Sequence, residues 1–332
     1  MPPHPLAEVQ RTIRRELGEP EQLFARFDAA PIATASLAQV HRARLHDGRE
    51  DVVKVQHPEV AGLVPLDLRN VQMILGIVAR RRPQFDFRAI VREVGRQVPL
   101  ELDFVREAEM TRRVAANLAS HPGIVLPTVV DEMVTRRVLV LEYLDGERLL
   151  AIDRSRSDGP ALAKTITEAY GHQILVDGLF QADPHPGNVL VLPDGRAALL
   201  DFGLTKELPE AARLGFAALV LGVANRDMAL VEQGWRGLGL KSQDERPEAM
   251  VELLQLIFGP REVAGASATR AALNRNPVEA IPSDLVLLGR VIGLLRGVCA
   301  SLGSPLTPMA MLQPFAERAL ASGAATEPAR LA

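Results

Sequence analysis

Phe180-Gln181-Ala182-Asp183-Pro184-His185-Pro186-Gly187-Asn188, followed one short hairpin later by Leu199-Leu200-Asp201-Phe202-Gly203, decides how this chain is read. In the first stretch an Asp and an Asn stand five residues apart. Pro184, Pro186 and Gly187 stiffen and turn the backbone between them, so the two side chains can converge. A carboxylate so placed can accept or orient a hydroxyl proton, and the amide oxygen of Asn188 can ligate Mg²⁺. Val189 to Leu192 and Ala197 to Leu200 read as short apolar strands around Pro193-Asp194-Gly195. Such a hairpin returns the chain to the same site and presents Asp201 at a strand end, where its carboxylate can meet a metal. Either element alone also fits a turn whose polar side chain bonds its own backbone. Their order, their separation by one hairpin and the two prolines favour a shared site. His185 lies in the same loop, and a structural hydrogen bond is its favoured role.

Working upstream, Ser36 to Leu45 and Asp51 to Gln56 are β-prone runs around His46-Asp47-Gly48, the pattern of a hairpin. Lys54 sits inside the second run, in Val-Val-Lys-Val. A lysine that points inward from a strand needs an anion, and an ATP phosphate with a helix carboxylate would satisfy it. It is the first lysine of a chain that otherwise relies on arginine, which hints at a need for a compact point charge. Candidate partners are Glu101, Asp103 and Glu107 in Leu100-Glu101-Leu102-Asp103-Phe104-Val105-Arg106-Glu107. Asp103 and Glu107 share a helix face, and the spacing does not choose among the three. Ahead of the lysine strand, Ala33, Thr34, Ala35 and Ser36 form a small-residue loop. Its backbone N–H groups could approach a phosphate, although it has no glycine and is stiffer than a Gly-rich loop.

Helical periodicity runs over Ala7 to Leu17, stopped by Gly18, and then over Val60 to Arg82, Phe87 to Val98 and Leu100 to Ala119. Val138 to Leu141 is a short buried strand, and Asp145-Gly146 breaks the chain after it. Ala161 to Val176 is helical, and Pro209 to Leu302 reads as several amphipathic helices, with Trp235 in the core. The expectation is an α+β fold: a small β-plus-helix lobe over residues 1–144, a larger, mostly helical lobe over 145–322, and a disordered tail over 323–332.

Composition sets bounds on function. The 332 residues are 47% hydrophobic and 24% charged, which is globular and long enough for a sizeable core. A net charge of -3 and 4% aromatic residues disfavour nucleic acid as a partner. One cysteine, Cys299, allows no internal disulfide and no Cys-rich zinc site, and fits a reducing compartment. The first residues have no apolar core of a signal peptide, and no apolar run approaches ~18 residues. The expected location is cytoplasmic, with peripheral membrane contact allowed.

The ordered set of lysine strand, acidic helix, hinge strand, Asp-x4-Asn loop and Asp-Phe-Gly resembles protein kinase-like folds. Its wording resembles the UbiB/AarF (ADCK-type) atypical kinases: PIATASLAQVHRA their alanine-rich loop, VVKVQHP the lysine strand, ELDFVREAEM the Glu-x-Asp helix, VLVLEYLDG the hinge, QADPHPGNVLV the catalytic loop and LLDFGL the metal motif. IPSDLVLLGRVIGLLRGVCASLG also looks like that family, so the likeness runs from about Glu8 to Gly303. The resemblance implies a bilobal kinase-like fold that binds Mg-ATP and hydrolyses it or transfers its phosphoryl group. It implies work tied to isoprenoid quinone biosynthesis or lipid handling, with phenolic quinone precursors, lipid, a membrane surface or quinone-biosynthesis proteins as partners. By position, Lys54 would contact the α/β phosphates, Ser36 and its loop would cover them, and the backbone at Glu142 and Leu144 would meet adenine. Asp183 would be the catalytic base, and Asn188 and Asp201 the Mg²⁺ ligands. Glu101, Asp103 and Glu107 match the acidic helix.

The sequence departs from the family at Gln181, where His is usual, and at Thr34, where Ala or Ser is common. It contains neither the C-terminal membrane hairpin nor, with Lys54 its first lysine, an upstream Lys-x-Gly-Gln segment. The expectation is that Glu101 and Asp103 lack their usual lid, either because the natural chain begins further upstream or because the protein works without it. Two rival readings remain: a small-molecule phosphotransferase of the aminoglycoside- or choline-kinase type, which the alanine-rich loop disfavours, and a non-catalytic ATP-binding regulator or scaffold.

Overall fold

The computed structural model describes residues 3–35, 37–60, 95, 100, 102–152, 158–244, 246–258, 276, 278–280 and 282–326. Ser36, Glu101, the helical reading over 61–82 and, but for Gly95, that over 87–98 lie outside the described residues. In chain order the elements are α1 (Leu6–Glu16), α2 (Pro20–Leu23), β1 (Phe24–Thr34), β2 (Ala38–Leu45), β3 (Glu50–Gln56), α3 (Phe104–Asn117), β4 (Ile124–Val125), β5 (Val129–Val134), β6 (Val138–Glu142), β7 (Glu147–Arg148) and α4 (Gly159–Gly171). A π-helical turn (His172–Asp177) follows, then β8 (Leu179–Gln181), a 3-10 turn (Pro186–Asn188), β9 (Val189–Val191), β10 (Ala197–Leu199), β11 (Thr205–Glu207), α5 (Glu210–Asn225) and α6 (Met228–Gly237). The chain ends with β12 (Lys241–Ser242), α7 (Pro247–Phe258), β13 (Val278–Ala280), α8 (Ser283–Ser301) and α9 (Pro308–Thr326).

The chain forms two compact units. The first comprises residues 1–116, 125–146 and 198–204, so the Asp201-Phe202-Gly203 segment returns to it late in the sequence. Its antiparallel sheet has the order β1-β2-β3-β6-β5. The β2–β3 hairpin turns at Gly48, which adopts φ 93°, and the Asp47 carboxylate accepts from the Arg49 N–H. A left-handed glycine after an Asp is what such a turn requires.

Alternation along the strands assigns two faces. On one, Val53 and Val55 of β3 and Val138 and Val140 of β6 pack with Val9 and Ile13 of α1. On the other, Leu139 and Leu141 of β6 pack with Phe104 and Ala108 of α3. The unbroken apolar run Val138 to Leu141 is thus buried on both sides, as expected for a strand covered by helices on each face. Lys54 lies one residue out of phase with Val53 and Val55, so its side chain emerges on the α3 face.

The second unit, residues 117–124, 147–197 and 205–332, is mostly helical. β8 pairs antiparallel with β11, and β7 with β9. α5 and α6 cross closely because both carry glycine at the crossing: a Cβ on Gly234 would stand 2.6 Å from the Gly215 carbonyl oxygen, and one on Gly215 2.8 Å from Gly237. Trp235 is buried beside this crossing.

Candidate functional site

In the first unit the strand alternation that turns Lys54 toward α3 delivers it to Glu107. Its Nζ donates to both carboxylate oxygens, at 2.7 and 2.9 Å. The acidic partner that spacing left open is therefore Glu107. Asp103 takes a different part: its Oδ1 accepts from the N–H groups of Val105 and Arg106, so it caps α3. Capping at Asp103 starts the helix at Phe104 and puts Phe104, Glu107, Ala108, Thr111 and Val114 on one buried face. Glu107 is 2% exposed. The aromatic ring of Phe104 lies 5.1 Å from the Lys54 ammonium and adds a further favourable contact.

Asp201 completes the group, with Oδ2 at 3.3 Å from Lys54 Nζ. Its backbone is left-handed, φ 58°, a conformation that Asp tolerates better than most residues. Its Oδ1 accepts from the Gly203 N–H at 3.2 Å, and the Gly203 carbonyl accepts from Arg106 of α3 at 3.1 Å. Gly203 permits this approach: a Cβ there would lie 3.3 Å from Asp201 Oδ1 and 3.4 Å from Glu107 Oε2.

One cation now faces two carboxylates, and the protonation energetics follow. Burial raises the Glu107 carboxyl to about 7, against the opposing pull of Lys54 and with Asp201 adding to the rise. The two carboxylates hold the Lys54 ammonium charged well above its ordinary range despite its burial. Asp201, whose side chain is 43% exposed, is held below the ordinary carboxylate range, with the Lys54 charge the main cause of the lowering against the desolvation that opposes it.

The small-residue loop is the tip of the β1–β2 hairpin. Thr34 pairs with Gln39, and the Ala35 N–H donates to the Ala38 carbonyl at 2.8 Å, closing a tight turn. Ala33 and Ala35 are exposed there and Thr34 is half-buried. His57, three residues beyond Lys54, pins the turn twice. Its backbone N–H donates to the Leu37 carbonyl at 2.9 Å, and its Nε2–H to the Ala35 carbonyl at 3.1 Å. At the end of β6, the exposed Glu142 accepts from the Thr128 N–H and hydroxyl, and Leu144 is half-buried.

Asp183 and Asn188 belong to the second unit. The Asn188 amide Nδ2 donates to the Asp183 carbonyl at 3.2 Å, and the Gly187 N–H donates to His185 Nδ1 at 3.0 Å. His185 thus serves the turn. The Asp183 carboxylate meets Arg290 of α8, whose Nη2 donates to Oδ1 at 2.9 Å. Nothing in the spacing of the loop pointed to an arginine about a hundred residues away. Gln181, the departure from the family pattern, is buried at the end of β8. It accepts from the Tyr170 hydroxyl, and its N–H donates to Gln173 Oε1 at 3.1 Å.

A kinase-like fold with a lysine–glutamate pair beside an Asp-Phe-Gly turn defines the class of this chain. Comparison with known proteins gives the family. The ABC1 atypical kinase-like domain matches residues 1–234. AarF domain-containing protein kinase 1 of Mus musculus is 37% identical over 247 residues, 72% of this chain and 47% of the relative. That of Xenopus tropicalis is 31% identical over 322 residues, 90% of this chain and 62% of the relative. The chain belongs to the ABC1 atypical kinase-like family, the UbiB/AarF (ADCK) group. It spans about half the length of several of these relatives, between 46% and 62% of those from Gallus gallus, Mus musculus and Xenopus tropicalis. Among solved structures, Rv3197 of Mycobacterium tuberculosis, determined in complex with erythromycin, shares the fold with a TM-score of 0.70 at 23% identity, covering 93% of this chain and 82% of that one. Among the described residues, no helix is long and apolar enough to cross a membrane.

Proposed function

We propose that the chain binds Mg-ATP and acts as an atypical kinase or ATPase. The observation that carries this reading is the Lys54 ammonium held between Glu107 and Asp201. Burying a lysine against two carboxylates is a poor way to stabilise a sheet, because desolvation offsets much of the Coulomb gain. It is a good way to hold a cation at fixed geometry for a phosphate.

In this reading Lys54 contacts the α and β phosphates. The backbone of Ala33, Thr34, Ala35 and Ser36 covers them, and the hinge backbone at Glu142 and Leu144 meets adenine. Asp201 of the first unit carries a carboxylate and Asn188 of the second an amide oxygen, each a hard oxygen of the kind Mg²⁺ takes. Asn188 commits its Nδ2 to the Asp183 carbonyl, which leaves Oδ1 available. When bound, Mg²⁺ neutralises phosphate charge during transfer. Asp183 takes or orients the proton of the acceptor hydroxyl, or of water, through its carboxylate. A phenolic quinone precursor or a lipid is the acceptor or activator class proposed, at a membrane surface or in the cytoplasm.

The test is calorimetric titration with ATP, with and without Mg²⁺, followed by phosphate release with water, phenolic compounds and lipid vesicles. Mg²⁺-dependent binding with turnover is expected. Binding without turnover under every condition would make the chain a non-catalytic ATP-binding regulator.

A further inference from the structure

The loop that carries Asp183 fixes its own backbone, through the Asn188 amide on the Asp183 carbonyl and the Gly187 N–H on His185. Neither bond orients the Asp183 carboxylate. That is done from α8, beyond the residues matched by the family domain, where Arg290 Nη2 donates to Asp183 Oδ1 at 2.9 Å. α8 is itself tied to this region. Near its start Asp284 meets Lys206 of β11 at 3.1 Å, and β11 pairs with β8, the strand that leads into Asp183.

We propose that Arg290 is a positioning residue: it holds Oδ1 of Asp183 so that Oδ2 faces the acceptor hydroxyl or water. The inference rests on the reading in which Asp183 takes the acceptor proton. Two physical arguments support it. The pair is one-third to half exposed, 31% for Asp183 and 50% for Arg290, and ion pairs that wet contribute little to stability. A fold-stabilising purpose therefore explains it poorly. Engagement is also one-sided: a single guanidinium nitrogen on a single oxygen leaves the second oxygen for another partner, whereas a bidentate fork would occupy both. A carboxylate that rotates freely spends little of its time aligned for proton transfer, so fixing one oxygen acts on turnover rather than on nucleotide binding.

The test compares the parent with Arg290→Ala, Arg290→Lys, Asp183→Asn and the double variant Asp183→Asn/Arg290→Ala, by steady-state kinetics in ATP and by thermal unfolding. Arg290→Ala is expected to lower kcat on the order of 10- to 100-fold, as a misplaced reacting group does. KM for ATP should stay within about two-fold, because binding is not what is lost. Added methylguanidinium should restore part of kcat, which a purely structural defect would not allow. In the Asp183→Asn background the Arg290 change should add no further loss. If Arg290→Ala folds poorly, Arg290→Lys, with the charge kept and the planar fork removed, should still fall between parent and Asp183→Asn. A parent-like kcat in both Arg290 variants, or an equal loss with and without Asp183, overturns the inference while leaving the proposed activity intact. A parent that binds ATP but never turns it over overturns the proposed role of Asp183 and this inference with it.

Discussion

Lys54 and Glu107, 53 residues apart in sequence, meet through two hydrogen bonds at 2.7 and 2.9 Å, with Lys54 14% and Glu107 2% exposed. The bonds exist because β3 alternates and Asp103 caps α3 so that the helix starts at Phe104. One periodicity turns the lysine to the helix, and the other turns the glutamate to the sheet. Asp201 adds a second carboxylate from a segment that rejoins the first unit. With one cation and two anions, the group carries an excess negative charge when Glu107 is ionised.

Replacing Lys54 by Met leaves Glu107 buried without its cation. Removing one partner of a buried pair destabilises by about 3 kcal/mol or more. The penalty should be full near pH 8 and smaller near pH 6, where Glu107 can take up a proton. Urea unfolding at the two pH values checks this. A penalty that is the same at both would show that Glu107 does not relieve the strain by protonation.

Glu107→Gln tests the sign of the pH dependence. The folded carboxyl is raised to about 7, above the ordinary value of 4.5. The folded state therefore holds the extra proton between these values. Its contribution to stability is fully present below about 4.5 and is lost as pH rises toward about 7. The Gln variant should lack this component. Because Lys54 keeps Asp201 as a counter-ion, whereas Glu107 has no second cation among the described residues, at pH 8 it should be at least as stable as the parent while ATP turnover falls about ten-fold or more through loss of the charged partner of Lys54. Clear destabilisation at pH 8 would contradict the account.

The sequence made part of this legible. The β2–β3 and β9–β10 hairpins follow from β-prone or apolar runs around Asp-Gly turns, and the buried strand at Val138 from an unbroken apolar run, all of them local signals. Glu107 was also within reach. An Asp read as an N-cap at 103 places Phe104, Glu107, Ala108 and Thr111 on one stripe, and a lone carboxylate in an apolar stripe points to a buried partner. β1 was not legible, because Phe24 to Thr34 mixes exposed and half-buried residues with Asp28 and Pro31 and lacks clean alternation. The contacts Arg290–Asp183 and Tyr170–Gln181 were invisible too. They depend on how helices pack, which no local pattern encodes.

At the α5–α6 crossing, Gly234→Ala would press a methyl to 2.6 Å from the Gly215 carbonyl oxygen and 2.7 Å from Leu219. Overpacking against backbone costs about 1–3 kcal/mol. The variant should lose that much stability, measured by chemical denaturation. An unchanged midpoint would mean that the two helices separate easily.

Ala35→Gly acts on the β1–β2 turn, which is pinned by the His57 ring on the Ala35 carbonyl. Glycine widens the backbone choices of the turn, so the covering loop should close differently over nucleotide. A changed ATP dissociation constant is expected, with higher self-phosphorylation. If both stay at parent values, the loop does not gate the nucleotide.

The most direct measurement separates the two aspartates. ATP binding, with and without Mg²⁺, and phosphate release are compared for the parent, Asp201→Ala and Asp183→Ala. Asp201→Ala is expected to abolish Mg²⁺-dependent binding, whereas Asp183→Ala should bind nearly as the parent does and lose turnover. Turnover in Asp183→Ala equal to that of the parent, or Mg²⁺-dependent binding intact in Asp201→Ala, would contradict these roles.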